Sequence, residues 1–383
     1  MYVLEGIDQI FYYVNYKYKY IPFQIMKIMI DIGHPAHVHY FKNFIKIMNS
    51  KGHNLLIIAR DKEITYYLLD ALKINYFKRG KGRTSILGKI FYIIEGDYKI
   101  YKLAKKFKPD ISINFTSVYA AHVSKILGIP CINIDDTEHT KYEHLMFIPF
   151  TDVIMTPRSY RNKIGKKQIY FDGTMDLCYL HPKYFQPDIR ILSELGLNPG
   201  EKFVFIRFVS WKASHDVGEI GINYKDKIKL INELSKYFKI FLSSEDDLPY
   251  ELLKYKIKMR YEEIHNILYY ASLYIGESTS MATEAATLGT PAICVNSRAK
   301  YFGVFDEFIK YNLIEVMNNI DKVISRTIEI LNIPDYKDLI KPKLLAYLKN
   351  KIDVTAILVW FVENYPNSFR IMKENPDYQY KFK

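Results

Sequence analysis

A chain of 383 residues, 49% apolar and 25% charged, is long enough for two domains that each bury a core. Its formal charge of +12 favours anionic partners (nucleotides, phosphorylated lipids, an acidic membrane face), while the basic residues are too evenly spread for a nucleic-acid recognition module. The three cysteines, Cys131, Cys178 and Cys294, are far apart, which argues against a disulfide framework or a cysteine zinc site, and no run of about 18 apolar residues reads as a membrane span.

Residues 1–25 are aromatic and basic and lack the small-residue cleavage site of a signal peptide. They are expected to lie outside the fold, as upstream sequence or a loose tail before Met26, with a membrane-surface anchor as the alternative. From there short apolar runs alternate with helical patterns. Strands are expected at 27–32, 54–59, 76–77, 110–115, 130–134 and 152–155, and helices after Pro35 and at 64–72, 86–107 and 119–127. Short connections between such elements imply a parallel sheet covered on both faces. The rhythm restarts with strands at 202–208, 238–242, 273–275 and 291–295, and helices at 227–237 and 262–270 and after Ser278. Two further helical patterns, 343–349 and 355–363, follow the second sheet. The division expected is a first domain at 26–172, a connection at 173–200, a second domain at 201–350 and a C-terminal segment at 351–383.

Ligands of doubly wound sheets bind beyond the carboxyl ends of the strands, so the loops there carry the candidates. After the first strand comes Gly33-His34-Pro35-Ala36-His37-Val38-His39. His34 and His37 can reach a substrate or take a proton near neutral pH, whereas His39 is expected to decorate the helix. Three close histidines also suggest a metal, but no carboxylate or cysteine completes the set locally, so none is assigned. After the fifth strand, Asp135, Asp136 and Glu138 offer acids that raise one another's pKa, bind hydroxyls, or merely cap a helix. After the first strand of the second half, Arg207, Trp211, Lys212, His215 and Asp216 suit a base or sugar, a phosphate and a proton transfer. The basic run 78–84 after the third strand could grip a phosphorylated acceptor, although solvation is the simpler reading.

Gly276-Glu277-Ser278-Thr279-Ser280-Met281-Ala282-Thr283-Glu284 reads as a strand end, a small-residue turn and a helix start. Ser278, Thr279 and Ser280 are good N-cap types, and a helix start is a seat for phosphate. Glu284 follows Ser280 by one turn on the same face, where a carboxylate can accept from a diol such as ribose. Gly289 and Pro291 end the helix. This stretch, continued through Leu288-Gly289-Thr290-Pro291, resembles the donor-nucleotide motif of GT-B-fold proteins, which include nucleotide-sugar glycosyltransferases and the non-hydrolysing UDP-N-acetylglucosamine 2-epimerases.

Taken together, residues 33–38, 135–139, 207–216 and 276–285 are similar to one archaeal and bacterial GT-B-like family catalogued as a domain of unknown function. The resemblance runs from about Met26 to Phe361 and implies two Rossmann-like doubly wound parallel-sheet domains with a cleft between them, but no reaction. It also implies that the final helix, 355–363, crosses back onto the first domain. The function expected is a glycosyltransferase-like enzyme using a nucleoside-diphosphate sugar, UDP-linked by preference, in surface polysaccharide or glycoconjugate synthesis in the cytoplasm or at the inner membrane surface. In that reading Ser278 to Met281 hold the diphosphate, Glu284 the ribose, and the 211–216 loop the sugar. His34, His37 or an acid of 135–138 activates the acceptor, and Arg207 or Lys212 steadies the leaving diphosphate with no obligatory metal. The acceptor would be phosphorylated or lipid-linked. An epimerase is the nearest rival, weakened because Asn114-Phe115-Thr116 stands where that family's acid is expected. A non-catalytic nucleotide-sugar-binding protein is the third reading.

Overall fold

The computed structural model describes residues 24–83, 85–210 and 221–383, so the expectations placed on residues 1–23 and on Trp211, Lys212, His215 and Asp216 lie outside the described residues. Among the described residues twelve strands form two sheets. In the first half these are β1 Lys27–Ile32, β2 Asn54–Asp61, β3 Phe77–Lys81, β4 Ile111–Phe115, β5 Cys131–Ile134, β6 Val153–Pro157 and β7 Gln168–Phe171. The second half holds β8 Phe203–Phe208, β9 Lys239–Ser244, β10 Leu273–Gly276, β11 Ala292–Cys294 and β12 Ile314–Val316. The first sheet runs β3-β2-β1-β4-β5-β6-β7 and the second β12-β11-β10-β8-β9. All pairings are parallel, as the alternating pattern predicts.

The sequence explains the layering. Central strands such as β1, β4 and β5 are buried almost throughout, which fits Ile-rich runs covered by helices on both faces. Helix Pro35–Ser50 buries Val38, Phe41, Phe44, Ile45 and Met48, the stripe its spacing predicts. His39 joins that buried face instead of decorating the helix, because the second domain and the Tyr179 segment cover it.

Strand β3 is longer than the two residues expected and takes up Lys78 to Lys81. The local sequence is a poor strand, but β2 offers an edge, and a register shift between Ala59 and Arg60 with Gly80 at φ +100° lets the chain follow it. Strand β7 and helix Ile320–Asn332 were not anticipated either. The C-terminal helix Val354–Glu363 lies against helix Pro35–Ser50. Glu363 takes Lys51 Nζ at 2.8 Å and His53 Nε2 at 3.1 Å, and Thr355 Oγ1 donates to the Cys178 carbonyl at 2.8 Å. Among the described residues no helix is long and apolar enough to cross a membrane.

Candidate functional site

Both sheets reverse strand order at one point, between β1 and β4 in the first and between β8 and β10 in the second. A crevice opens beyond the strand ends at such a point. Between the two domains lies a cavity of about 750 Å³, within the range of small-ligand sites.

The second domain contributes the start of helix Thr279–Thr287. Ser278 caps it, with φ −77° and ψ 113° and its Oγ accepting from Met281 N at 3.2 Å. Thr279, Ser280 and Thr283 line the cavity, so the helix's positive end faces it. Met281 packs into the core instead. Asn296 and Arg298 follow β11 into the same wall. Asn296 Nδ2 donates to the Glu277 carbonyl at 2.6 Å, its Oδ1 accepts from Arg298 N at 2.9 Å, and the Arg298 guanidinium meets His139 of the first domain.

Glu277 is fully buried and accepts from Val209 N and Ile222 N at 3.1 and 2.6 Å. It thereby fixes the backbone on either side of residues 211–220, beside the helix start. Arg207 lies off the cavity, its guanidinium held by Ser243 Oγ at 2.6 Å and Glu245 at 2.8 Å.

Glu284 is buried below the helix start and does not line the cavity. Its Oε1 accepts from Tyr179 Oη at 2.6 Å and lies 3.2 Å from His265 Nε2. His39 packs edge-on to His265, with ring centroids 4.7 Å apart, and Lys42 lies over the Tyr179 ring. Burial lowers Lys42 to about 8 against the pull of Glu284. These groups join the two domains through one polar cluster.

On the first-domain wall, His34 caps helix Pro35–Ser50, its Nδ1 accepting from Ala36 N at 3.2 Å. His37 Nδ1 accepts from Gly33 N at 3.3 Å, so the proton of the neutral ring sits on Nε2. Burial first, then Lys62 and Arg79, push His37 down to about 3, making it a neutral donor and a weak base. Among the described residues no three His, Cys, Asp or Glu converge in a metal-binding arrangement.

The acidic loop splits into three roles. Asp135 is fully buried and turned away from the cavity, with Tyr160 Oη at 2.6 Å, Thr137 N at 2.9 Å and His144 Nε2 at 2.8 Å. Glu138 reaches the second domain, accepting from Gly303 N at 2.9 Å. Asp136 lines the cavity half-buried, and its carboxyl is pushed up to about 7 by burial and then by Asp135. Asp176 lines the same space and is raised well above the usual carboxyl range by burial and then by Glu284. One cavity therefore holds two carboxyls raised by burial, Asp136 to about 7 and Asp176 well above the usual range.

Contributors not singled out from the sequence include Asp31, Asp176, Asn296 and Arg298. Asp31 is the penultimate residue of the central strand β1, a position that could have flagged it. Its Oδ2 accepts from Arg79 Nη1 at 2.8 Å and Ser117 Oγ at 2.6 Å, and both charged groups are almost fully buried. Arg79 belongs to the run read as solvated. Burial is tolerated because Asp31 pairs with it and the Tyr119 ring lies 3.9 Å from its Cζ. Asn114 is buried as well and accepts from Asp31 N at 2.8 Å, so it serves the strand end rather than standing free as an acid's substitute.

The fold is of the GT-B type. The structure is similar to UDP-GlcNAc 2-epimerase from Neisseria meningitidis bound to UDP-GlcNAc, with a TM-score of 0.63, 15% identity and coverage of 91% of this chain and 99% of the other. It is also similar to the glycosyltransferase SsfS6 of Streptomyces sp. SF2575, with a TM-score of 0.56, 12% identity and coverage of 88% and 100%. In sequence it is 24% identical over 339 residues, 85% of this chain and 99% of the other, to uncharacterized protein MJ0665 of Methanocaldococcus jannaschii. A family model described as "Protein of unknown function (DUF354)" matches residues 26–364, most of the chain, and the protein belongs to that family.

Proposed function

We propose that the protein is an enzyme acting on a nucleoside-diphosphate sugar, and that it transfers the sugar to an acceptor held by the first domain. The observation that carries the reading is the pairing, across one cavity, of a helix start suited to a diphosphate with Asp136, a carboxyl that loses its proton near neutral pH. Thr279 and Ser280 hold the diphosphate, Arg298 lies in the same wall, and Asp136 takes the proton from the acceptor hydroxyl. Asp176, whose carboxyl burial and then Glu284 raise well above the usual range, donates to a sugar hydroxyl. Leaving-group charge is steadied by the helix end and Arg298. The likeness to solved glycosyltransferases and 2-epimerases supports the nucleotide-sugar class, with UDP the first nucleotide to try.

For Glu284 Oε1 to meet a ribose it must exchange its bond with Tyr179, whose hydroxyl now occupies it together with His265. Binding of UDP, GDP, CMP and dTDP, followed by calorimetry, tests this. One nucleotide should bind selectively, Glu284→Ala should weaken it by about tenfold or more, and Tyr179→Phe should tighten it severalfold because the competing donor is gone. Failure of every nucleotide to bind would reduce the motif to a structural helix cap.

Epimerisation of the same donor is the second reading, favoured by Asp136 and Asp176, whose environments separate a base from an acid. Turnover of the sugar nucleotide with no acceptor present would select it.

A further inference from the structure

At the first-domain end of the cavity, away from the helix start of the second domain, the strand ends of β2 and β3 bring basic side chains into the wall: Arg60, Lys62, Arg79 and Arg83. They are unequally compensated. Arg79 is neutralised by Asp31, and Arg83 shares Glu95 with Lys99 at 3.3 Å. Lys62 faces Glu63, 3.8 Å away and half exposed, and also feels the charge of Glu245. Arg60 has no acidic or hydrogen-bonding partner among the described residues. Its guanidinium lies 5.6 Å over the Tyr92 ring, and its Nε is buried without an acceptor.

Two further buried atoms in this wall lack partners among the described residues. Arg79 Nε has no acceptor and Asp31 Oδ1 has no donor, although both residues are nearly inaccessible. A buried polar atom left unpaired is costly and needs an explanation. Val118 and Tyr119, at the start of helix Val118–Leu127, also line the cavity, while the amides of Thr116, Ser117 and Ala120 are taken by the Ile134 carbonyl, Asn133 Oδ1 and Ser117 Oγ.

We infer that this end of the cavity is a second anion pocket that takes the phosphoryl group of the acceptor, so that the protein's second substrate is a phosphate ester with a free hydroxyl. Arg60 supplies the uncompensated positive charge and Lys62 a partly compensated one, and a guanidinium fork suits phosphate oxygens. Asp31 Oδ1 accepts from a hydroxyl of the same molecule, so one wall reads both features of the acceptor. The word acceptor rests on the nucleotide-sugar reading above, whereas the phosphate pocket itself does not.

The test is calorimetric titration of the full chain with glycerol 3-phosphate and, separately, with phosphatidylcholine vesicles carrying phosphatidic acid. Wild type, Arg60→Gln, Lys62→Gln and Thr279→Asp are compared, with melting temperature as the folding control. Arg60→Gln should weaken binding roughly ten- to a hundredfold and Lys62→Gln severalfold, while Thr279→Asp, on the opposite wall, leaves it within about twofold. Lys62 is partly exposed, so its variant keeps the test open if Arg60→Gln does not fold. The probe that shows Arg60-dependent binding fixes whether the phosphate belongs to a soluble ester or a lipid. Unchanged binding in both cation variants, or no binding of either probe, overturns the inference. Loss in Thr279→Asp alone would put the phosphate at the donor helix and overturn it too. Arg60-dependent binding in a protein that binds no nucleotide would keep the pocket and overturn the nucleotide-sugar reading instead.

Discussion

Asp136 shows how one side chain links stability to chemistry. Its carboxyl is raised from 3.8 to about 7, so the folded protein holds that proton more tightly than the unfolded chain does. The sign follows: stability is lost as pH rises from about 4 through about 7, because the group must then ionise half-buried beside Asp135. Asp136→Asn should therefore stabilise the fold by about 1–3 kcal/mol at alkaline pH and by nothing measurable below pH of about 4, as urea denaturation would show. The same variant should lower kcat by about a hundred- to ten-thousandfold. Wild-type activity should rise with pH through about 7, as the base loses its proton. A stabilised variant of full activity would remove Asp136 from the reaction. The sequence shows three acids in this loop but not their division of labour, since Asp135 and Asp136 differ only in which way the strand end turns them.

At the scale of elements, helix Ile86–Phe107 governs the buried arginine. Gly96 lets this helix approach helix Val118–Leu127 so closely that a Cβ there would lie 2.7 Å from the Tyr119 ring, the ring that covers Arg79. Gly96→Ala should cost about 1–3 kcal/mol by overpacking and should weaken phosphate binding with it, measured by thermal melts and titration of the same sample. Elements with strong periodicity, such as helix Pro35–Ser50, helix Ile86–Phe107 and the Ile-rich strands, were legible from spacing alone. Of strand β3 only the start was, because Lys78-Arg79-Gly80-Lys81 lack an apolar alternation and owe their conformation to the edge of β2.

The whole molecule depends on how the two domains meet. Glu138 of the first accepts from Gly303 N of the second, Arg161 pairs with Asp306 at 2.5 Å, and Arg298 meets His139. Gly303 sits so close that a Cβ would fall 1.8 Å from the Ser159 carbonyl oxygen, a backbone atom with little freedom to move. Gly303→Ala should separate the domains locally and cost about 2–4 kcal/mol, read from urea midpoints, with a wider domain spacing in small-angle scattering. An unchanged midpoint would mean that this contact contributes little to domain closure. The cluster of His39, Tyr179, His265 and Glu284 adds a further polar contact between the two halves.

What the sequence by itself determined is the alternation of strands and helices, hence two parallel sheets, and the loops that end up beyond their carboxyl ends. It also located the capped helix at Ser278. These follow from local periodicity, turn residues and caps, which act over a few residues. Only the tertiary structure decided that Arg79 is buried by Asp31, that Glu284 is held by Tyr179, that Asp135 turns away while Asp136 faces the cavity, and that Arg60 stands without an acid among the described residues. Each of those outcomes pairs groups from distant strands or separate domains, and a charge is buried or solvated according to the partner that the fold brings to it.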